Sequence, residues 1–534
     1  MASVRARRVR LAAIVSVVAL SAGALAAGRW QYKPSTAERQ ALAAISAASL
    51  QGRMSFLSAD ALEGRASGST ALDVAAEYIA AEFRRAGLKP AGDEGYFQTT
   101  PRVRLTPTAE GYRCRLAVDG GAVDVEPGRF ALLTVPFSSS VAVREIRIED
   151  APVVKVPFGG PHPEKLEEAA RAVVITELPA PPAEAAERAS FVARRSAFVS
   201  RLAALKPALV VEIRRDASRR IDYFASREVI DPKFKGKETP VLPTVVLSDA
   251  TSAAVYDSMR PGPTGARFTV RLAVPVEADA PQRNVIGLLH GSDAKLAGTY
   301  VLLSAHYDGQ GTRAGPDRIW NSANDNGSGT VTVIELASAL ASLKTPPRRS
   351  IVFIAFHGEE SGLVGSRFYA EHPVFPLERT VAGINIEMIG RTDDADGNQR
   401  RRASLTGFDY SELGEVFRQA GLQTGVTVFK HEKNSDRYFN ASDNRPLAAQ
   451  GVPAHTICVA FQPPDYHGPA DTWQKIDFEN MAVTVRMIGT ALLTIAQSQA
   501  EPRWNSSVPQ AGRYLEAWKK RHPADGGGAA VPAR

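Results

Sequence analysis

Near the middle of the chain, Phe353–Gly362 reads FIAFHGEESG, an apolar run that stops at two adjacent glutamates, Glu359 and Glu360. Other apolar runs close in the same way. SAHYD supplies His306 and Asp308, NIEMIG supplies Glu387, and DYHGPADT supplies His467 and Asp471. The loop NSANDNGSG supplies Asp325 just before a helical pattern. Two imidazoles and three or more carboxylates, with no cysteine, suit Zn2+ or a similar divalent ion in an open, catalytic site. One such ion needs about three protein ligands. The candidates are too many for one ion and fit two if a carboxylate bridges, because paired ions in hydrolytic sites sit about 3.5–4 Å apart. Neighbouring residues at a strand end point in different directions. One glutamate can bind metal while the other takes a proton from the activated water and passes it to a leaving amine. Glu360 is assigned as ligand and Glu359 as general acid/base. Asp308 is placed to orient the His306 imidazole, and Asp471 is read as a supporting carboxylate rather than a ligand.

Other polar residues in these stretches have plainer readings. His357 packs or hydrogen-bonds beneath the glutamate loop. Asp443 lines the site or caps a turn. Tyr466 hydrogen-bonds the reacting group or packs half-buried. Arg391, Arg400, Arg401 and Arg402 surround an acidic loop and read as a solvated face.

These residues need a scaffold that brings them together. TYVLLSAHYD, SIVFIAF, VAGINIEMI and AHTICVAF read as strands covered on both faces. GTVTVIELASALASL and ENMAVTVRMIGTALLTIA read as helices, the first with Val333, Leu336, Ala337 and Leu340 on one face. The expected fold is α/β: a mixed, mostly parallel central sheet flanked by helices, with the site beyond the carboxyl ends of its strands. Residues 29–105 form its N-terminal part and end a helix at Gly87, with Pro90 just beyond. Residues 106–280 change character to short β-rich runs and read as a separate inserted domain. Residues 281–500 carry the candidate site, and 501–534 read as a flexible tail.

Composition narrows the class. The 534 residues exceed one ordinary core. The formal charge is +7, but Arg5, Arg7, Arg8 and Arg10 account for four of these charges and the remainder is +3. No basic stripe interleaved with aromatics supports nucleic-acid binding. The same arginines precede LAAIVSVVALSAGALAAG, so residues 1–28 read as a secretory leader with a cleavage signal at Ala24–Ala26. The competing reading is an uncleaved N-terminal membrane anchor. Cys114 and Cys458, the two cysteines, read as small buried residues.

The motifs AHYD, NDNGSG, RSIVFIAFHGEESGLVGS, NIEMIG, SDNRPLAAQGVPAHTI and YHGPADT, in this order over residues 283–480, resemble the co-catalytic di-zinc aminopeptidase family. Glutamate carboxypeptidase II, the transferrin receptor and glutaminyl cyclase belong to the same family. LSADALEGRASGS extends the resemblance toward the N-terminus, and the insert more weakly resembles a protease-associated domain. The resemblance implies two zinc ions: His306, Asp325 and Glu387 on one, Asp325, Glu360 and His467 on the other, with Asp325 bridging and Asp325–Asn326 cis. One position departs from the secreted aminopeptidases, where aspartate is more frequent than the longer Glu387. The implied protein is an exported exopeptidase, an aminopeptidase acting on peptides through a di-zinc-activated hydroxide, with Tyr466 and Asp443 near the substrate. A carboxypeptidase on the same fold is the rival enzyme, with Arg437 or Arg445 receiving the substrate carboxylate. An inactive, receptor-like binding protein is the rival of another class. Oligomeric state is left open.

Overall fold

Alternate residues of the central strands face two different helix layers, which is why apolar side chains dominate both faces of the first two. In Tyr300–His306, Val301, Leu303 and Ala305 enter one apolar cluster and Leu302 enters the other. In Ser350–Phe356, Ile351, Phe353 and Ala355 pack one way and Val352, Ile354 and Phe356 the other. The computed structural model describes residues 29–133, 145–159, 169–179, 185–215, 224, 228–230, 244–313 and 315–523. The expected leader, residues 1–28, lies outside them.

The described chain divides into two compact units, one ending at Thr100 and resuming at Gln282, the other Pro101–Pro281. The first is built on a nine-stranded mixed sheet. Four strands at its centre run parallel in the order Ser350–Phe356, Tyr300–His306, Thr380–Glu387, Ala454–Cys458. Gln282–Leu289 pairs antiparallel with Ser350–Phe356 on one side, and Arg402–Leu405 pairs antiparallel with Ala454–Cys458 on the other. Thr427–Phe429 then pairs parallel with Arg402–Leu405 at that edge, so the sheet has a parallel centre with antiparallel joins on both sides, and the fold is mixed α/β.

Helices Thr70–Ala86, Ser328–Ala341, Leu413–Thr424 and Phe478–Gln497 contribute to the larger cluster. Thr70–Ala86 starts at Ser69, whose side chain accepts from the Leu72 amide, and stops at Gly87 in the left-handed region. The opposite layer contains Tyr369, Leu447, Trp504 and Tyr514. The last two correct the expectation of a flexible tail from residue 501. Trp504 is buried with its indole N–H donated to the Gly451 carbonyl, and the helix Gly512–Arg521 buries Tyr514. Aromatic side chains with an apolar surface to cover hold this segment against the sheet.

The second unit has an eight-stranded mixed sheet and a separate three-stranded one. The β-rich runs form strands Val173–Glu177, Leu209–Ile213, Thr244–Leu247 and Gly262–Leu272. Its composition is less purely β than its sequence suggests, because the Ala/Arg-rich stretch at Ala185–Ala204 is a helix. Phe198 and Leu202 from that helix meet Val154, Val174 and Val210 of the sheet. Both cysteines are free and buried.

Phe353 packs in the larger cluster, its ring centroid 6.4 Å from that of Phe83 on the Thr70–Ala86 helix. Phe353→Ala is expected to destabilise this unit by about 3–5 kcal/mol. Urea denaturation followed by tryptophan fluorescence reads the effect, and an unmoved midpoint would contradict this packing role.

Candidate metal centre

Four parallel strands place their carboxyl ends at one edge, and the acidic and imidazole side chains follow from those ends. His306 ends its strand, Glu387 ends the next, and Glu359 and Glu360 come three and four residues after Phe356. His467 lies in the loop after Ala454–Cys458, and Asp325 in the turn Ala323–Gly327 before the helix Ser328–Ala341. His306 Nε2 is 3.4 Å from Asp325 Oδ1 and 3.4 Å from Glu387 Oε1. His467 Nε2 is 3.0 Å from Asp325 Oδ2 and 3.4 Å from Glu360 Oε2. Within each triad the candidate ligand atoms all lie within 4.8 Å of one another. A tetrahedral ion with bonds of about 2.0–2.1 Å keeps its donor atoms about 3.3–3.4 Å apart. Both triads therefore fit a zinc-sized ion, with Asp325 turning one oxygen toward each.

Two buried aspartates shape this arrangement through the main chain. The Asp308 carboxylate accepts the amides of Glu359 and Glu360 at 3.1 and 3.2 Å, and the Ser67 hydroxyl at 3.3 Å. The Asp471 carboxylate accepts the amides of Asn324 and Asp325 at 2.9 and 3.0 Å. Each thus grips two consecutive N–H groups of a segment that carries a candidate ligand. For His306, the Asp308 main-chain carbonyl is the nearer partner of Nδ1 at 3.2 Å, with the carboxylate at 3.5 Å.

The NDNGS turn is stitched to the end of the Glu387 strand. Asn324 Oδ1 accepts the amides of Gly390 and Arg391, Asn326 Nδ2 donates to the Ile386 carbonyl, and Ser328 Oγ accepts the Ile389 amide. Gly329 makes this approach possible, because a Cβ there would lie 2.5 Å from Asn326 Oδ1 and 2.6 Å from the Ile386 carbonyl. Asp325–Asn326 is a cis peptide. Glu387 is held by Ser442, which donates to Oε1 at 2.6 Å and accepts from Asn385 Nδ2.

The electrostatics call for added positive charge. Burial alone would lower His306, but Glu387, Asp308 and Asp325 hold it well above the usual imidazole range. Burial also acts to lower His467, yet Asp325 and Glu360 push it up to about 10. Burial raises Glu359 far above the usual carboxylate range, with Glu387, Asp443 and Glu360 adding to the effect against His306. Burial raises Glu360 as well, and it leaves Oε1 without a hydrogen-bond partner. Burial acts to raise Asp325 too, but the two imidazoles hold it below the usual carboxylate range, and imidazoles that favour charge beside crowded glutamates mark a site that suits divalent cations.

The remaining expected residues fall around this centre. Glu359 belongs to neither triad. Tyr466 is 44% exposed and stacks on His467, ring centroids 3.9 Å apart. Asp443 is fully buried and accepts from Ser366 Oγ at 2.5 Å, a location that suits support from beneath rather than contact with a substrate. His357 is buried, with Nε2 2.9 Å from Thr100 Oγ1. Arg391 corrects the expectation of a solvated face. It is 6% exposed, bonds Asp393 through Nε and Nη2 and Asp465 through Nη1, and so anchors the loop leading to His467. The holding roles of Ser442, Asn324 and Asn326 escaped sequence reading because small polar residues are ordinary in turns.

Residues 284–492 match the sequence model of Peptidase family M28. The aminopeptidase YwaD of Bacillus subtilis (strain 168) is 27% identical over 227 residues, 41% of this chain and 46% of that protein. A probable zinc metalloprotease of Pyrenophora tritici-repentis is 27% identical over 266 residues, 41% of this chain and 58% of that protein. The match thus spans about half the length of each of these curated relatives. Among solved structures, an aminopeptidase from Aneurinibacillus sp. strain AM-1 superposes with a TM-score of 0.54 at 18% identity, over 88% of this chain and 97% of the other. That likeness establishes a shared fold.

Asp471→Ala would leave the Asn324 and Asp325 amides without their acceptor and free the turn that aims Asp325. Zinc binding is expected to weaken by about 10–100-fold, read by competition with a chromophoric chelator. Wild-type affinity in this variant would exclude the clamp.

Proposed function

With a Peptidase family M28 domain over residues 284–492, we propose that the protein is a zinc exopeptidase that removes N-terminal residues from peptides. The observation that carries this reading is the pair of triads sharing Asp325, with Glu359 beside them and free of both. His306, Asp325 and Glu387 would hold one zinc ion, and Asp325, Glu360 and His467 a second. Such ions, when bound, supply Lewis acidity that draws electron density from a scissile carbonyl and eases proton loss from water.

The chain's own part is proton transfer and positioning. Glu359 takes a proton on a carboxylate oxygen as water attacks the carbonyl carbon, and delivers it to the amide nitrogen as the C–N bond breaks. Burial raises the proton affinity of this carboxylate and suits it to hold a proton between the two steps. Tyr466, partly exposed beside His467, is the neighbouring hydroxyl that can donate to oxygen charge developing on the substrate. Asp308 and Asp471 keep the ligand segments in register.

Among the described residues no helix is long and apolar enough to cross a membrane. The rival carboxypeptidase reading separates cleanly in assay. Hydrolysis of a free-amine aminoacyl anilide, with no cleavage of an N-blocked dipeptide bearing a free carboxylate, is the expected pattern. The reverse pattern would replace this reading with the rival.

Glu359→Gln is expected to keep zinc at two ions per chain by elemental analysis and to lower kcat by at least about 10²-fold. Near-wild-type turnover would remove Glu359 as the proton carrier. Chelation should abolish turnover and zinc should restore it; activity that persists after demonstrated metal removal would sink the metallopeptidase reading.

A further inference from the structure

Arg65 sits in a segment that the proposed chemistry does not use. It ends the short helical turn Asp60–Arg65, in which Glu63, Gly64 and Arg65 all adopt positive φ, at 45°, 70° and 53°. Gly64 is required there, because a Cβ would lie 2.3 Å from the Trp320 carbonyl and 2.8 Å from that of Gly311. The turn is therefore wedged against residues 309–322, which join His306 to Asp325.

The Arg65 side chain is 1% exposed. Its guanidinium hydrogen bonds go to main-chain carbonyls. Nε donates to Tyr307 at 2.9 Å, Nη1 to Asn321 at 2.9 Å and to Leu57, and Nη2 to Ser322 at 2.8 Å. Its own carbonyl accepts the Gly309 amide at 3.1 Å. Tyr307 stands between His306 and Asp308, and Ser322 precedes Asp325 by three residues. One planar fork thus spans the two loops that carry candidate ligands of the same ion.

The charge is placed with equal economy. A buried guanidinium is costly unless its donors are satisfied and negative charge lies near. Burial draws Arg65 down to about 10, so it stays cationic at neutral pH, and the charges that favour its protonated form are Asp308, Asp471 and Asp325. These are the two amide-gripping carboxylates and the shared member of both triads.

We propose that Arg65 is a positioning residue for the metal pair: its fork fixes the gap between the His306 and Asp325 loops. The inference rests on the two-ion reading of the site. Lysine keeps the charge, but its three donors converge on one nitrogen and cannot reproduce the spread fork that reaches four separate carbonyls. Methionine keeps much of the volume and removes both charge and fork.

The test uses the full-length protein stripped of metal and titrated with Co2+, followed by calorimetry and by the visible absorption of the bound ion. Wild type is expected to take up two ions. Arg65→Lys and Arg65→Met are each expected to remain folded by circular dichroism and to bind at least about tenfold more weakly with an altered Co2+ spectrum. Wild-type affinity and spectrum in Arg65→Lys would reduce the role to charge and overturn the proposal, as would the same result in Arg65→Met. Failure of both variants to fold would make Arg65 a general core residue and overturn it equally. A wild-type protein that takes up fewer than two ions would instead sink the two-ion reading, and this inference with it.

Discussion

Asp325 must serve two imidazoles at once, one from each of its carboxylate oxygens, and much of the surrounding structure answers that demand. A carboxylate on a free loop would swing and pair with whichever cationic group was nearer. Here the residue's own amide is held by Asp471, its two asparagine neighbours are bound to the Gly390 and Ile386 end of the next strand, and a helix begins three residues later. The side chain inherits its direction from a main chain that has little freedom left.

The same economy recurs on the facing side. Asp308 holds the Glu359 and Glu360 amides, so the loop bearing one candidate ligand and one free glutamate is fixed by a residue two positions beyond His306. Concentrating this many carboxylates in a buried pocket is unfavourable by itself, because each prefers water. The pocket offsets that cost with amide N–H groups, the Arg65 guanidinium and the two imidazoles. Ordinary surface ion pairs elsewhere in the chain are worth far less, about 0–1 kcal/mol.

Much of this was readable from residue types and spacing. His306, Glu360 and Glu387 stand at or just beyond the ends of apolar runs, Asp325 and His467 lie in polar loops beside them, and a parallel sheet has one edge at which such ends can meet. The strands were legible for the same reason, since helix layers on both faces leave little room for polar side chains. What escaped reading is what acts through the main chain. Arg65 bonds carbonyls, which every residue has, so no partner residue type announces it. Arg391 sits among charged residues that suggest solvent, while its true partners include Asp465, 74 positions away. The 501–523 segment looked expendable because its few aromatic anchors are diluted by polar residues, and the Ala185–Ala204 helix was hidden among strands of its own domain.

The contributing side chains are scattered from Arg65 to His467, and their order along the polypeptide is not their order in space. A nascent chain can close the cluster only once His467, about 400 residues beyond Arg65, has been made. Every intermediate that stops short of His467 lacks the second imidazole, so the centre cannot assemble before that late loop and the much earlier turn that holds Asp325 are both in hand.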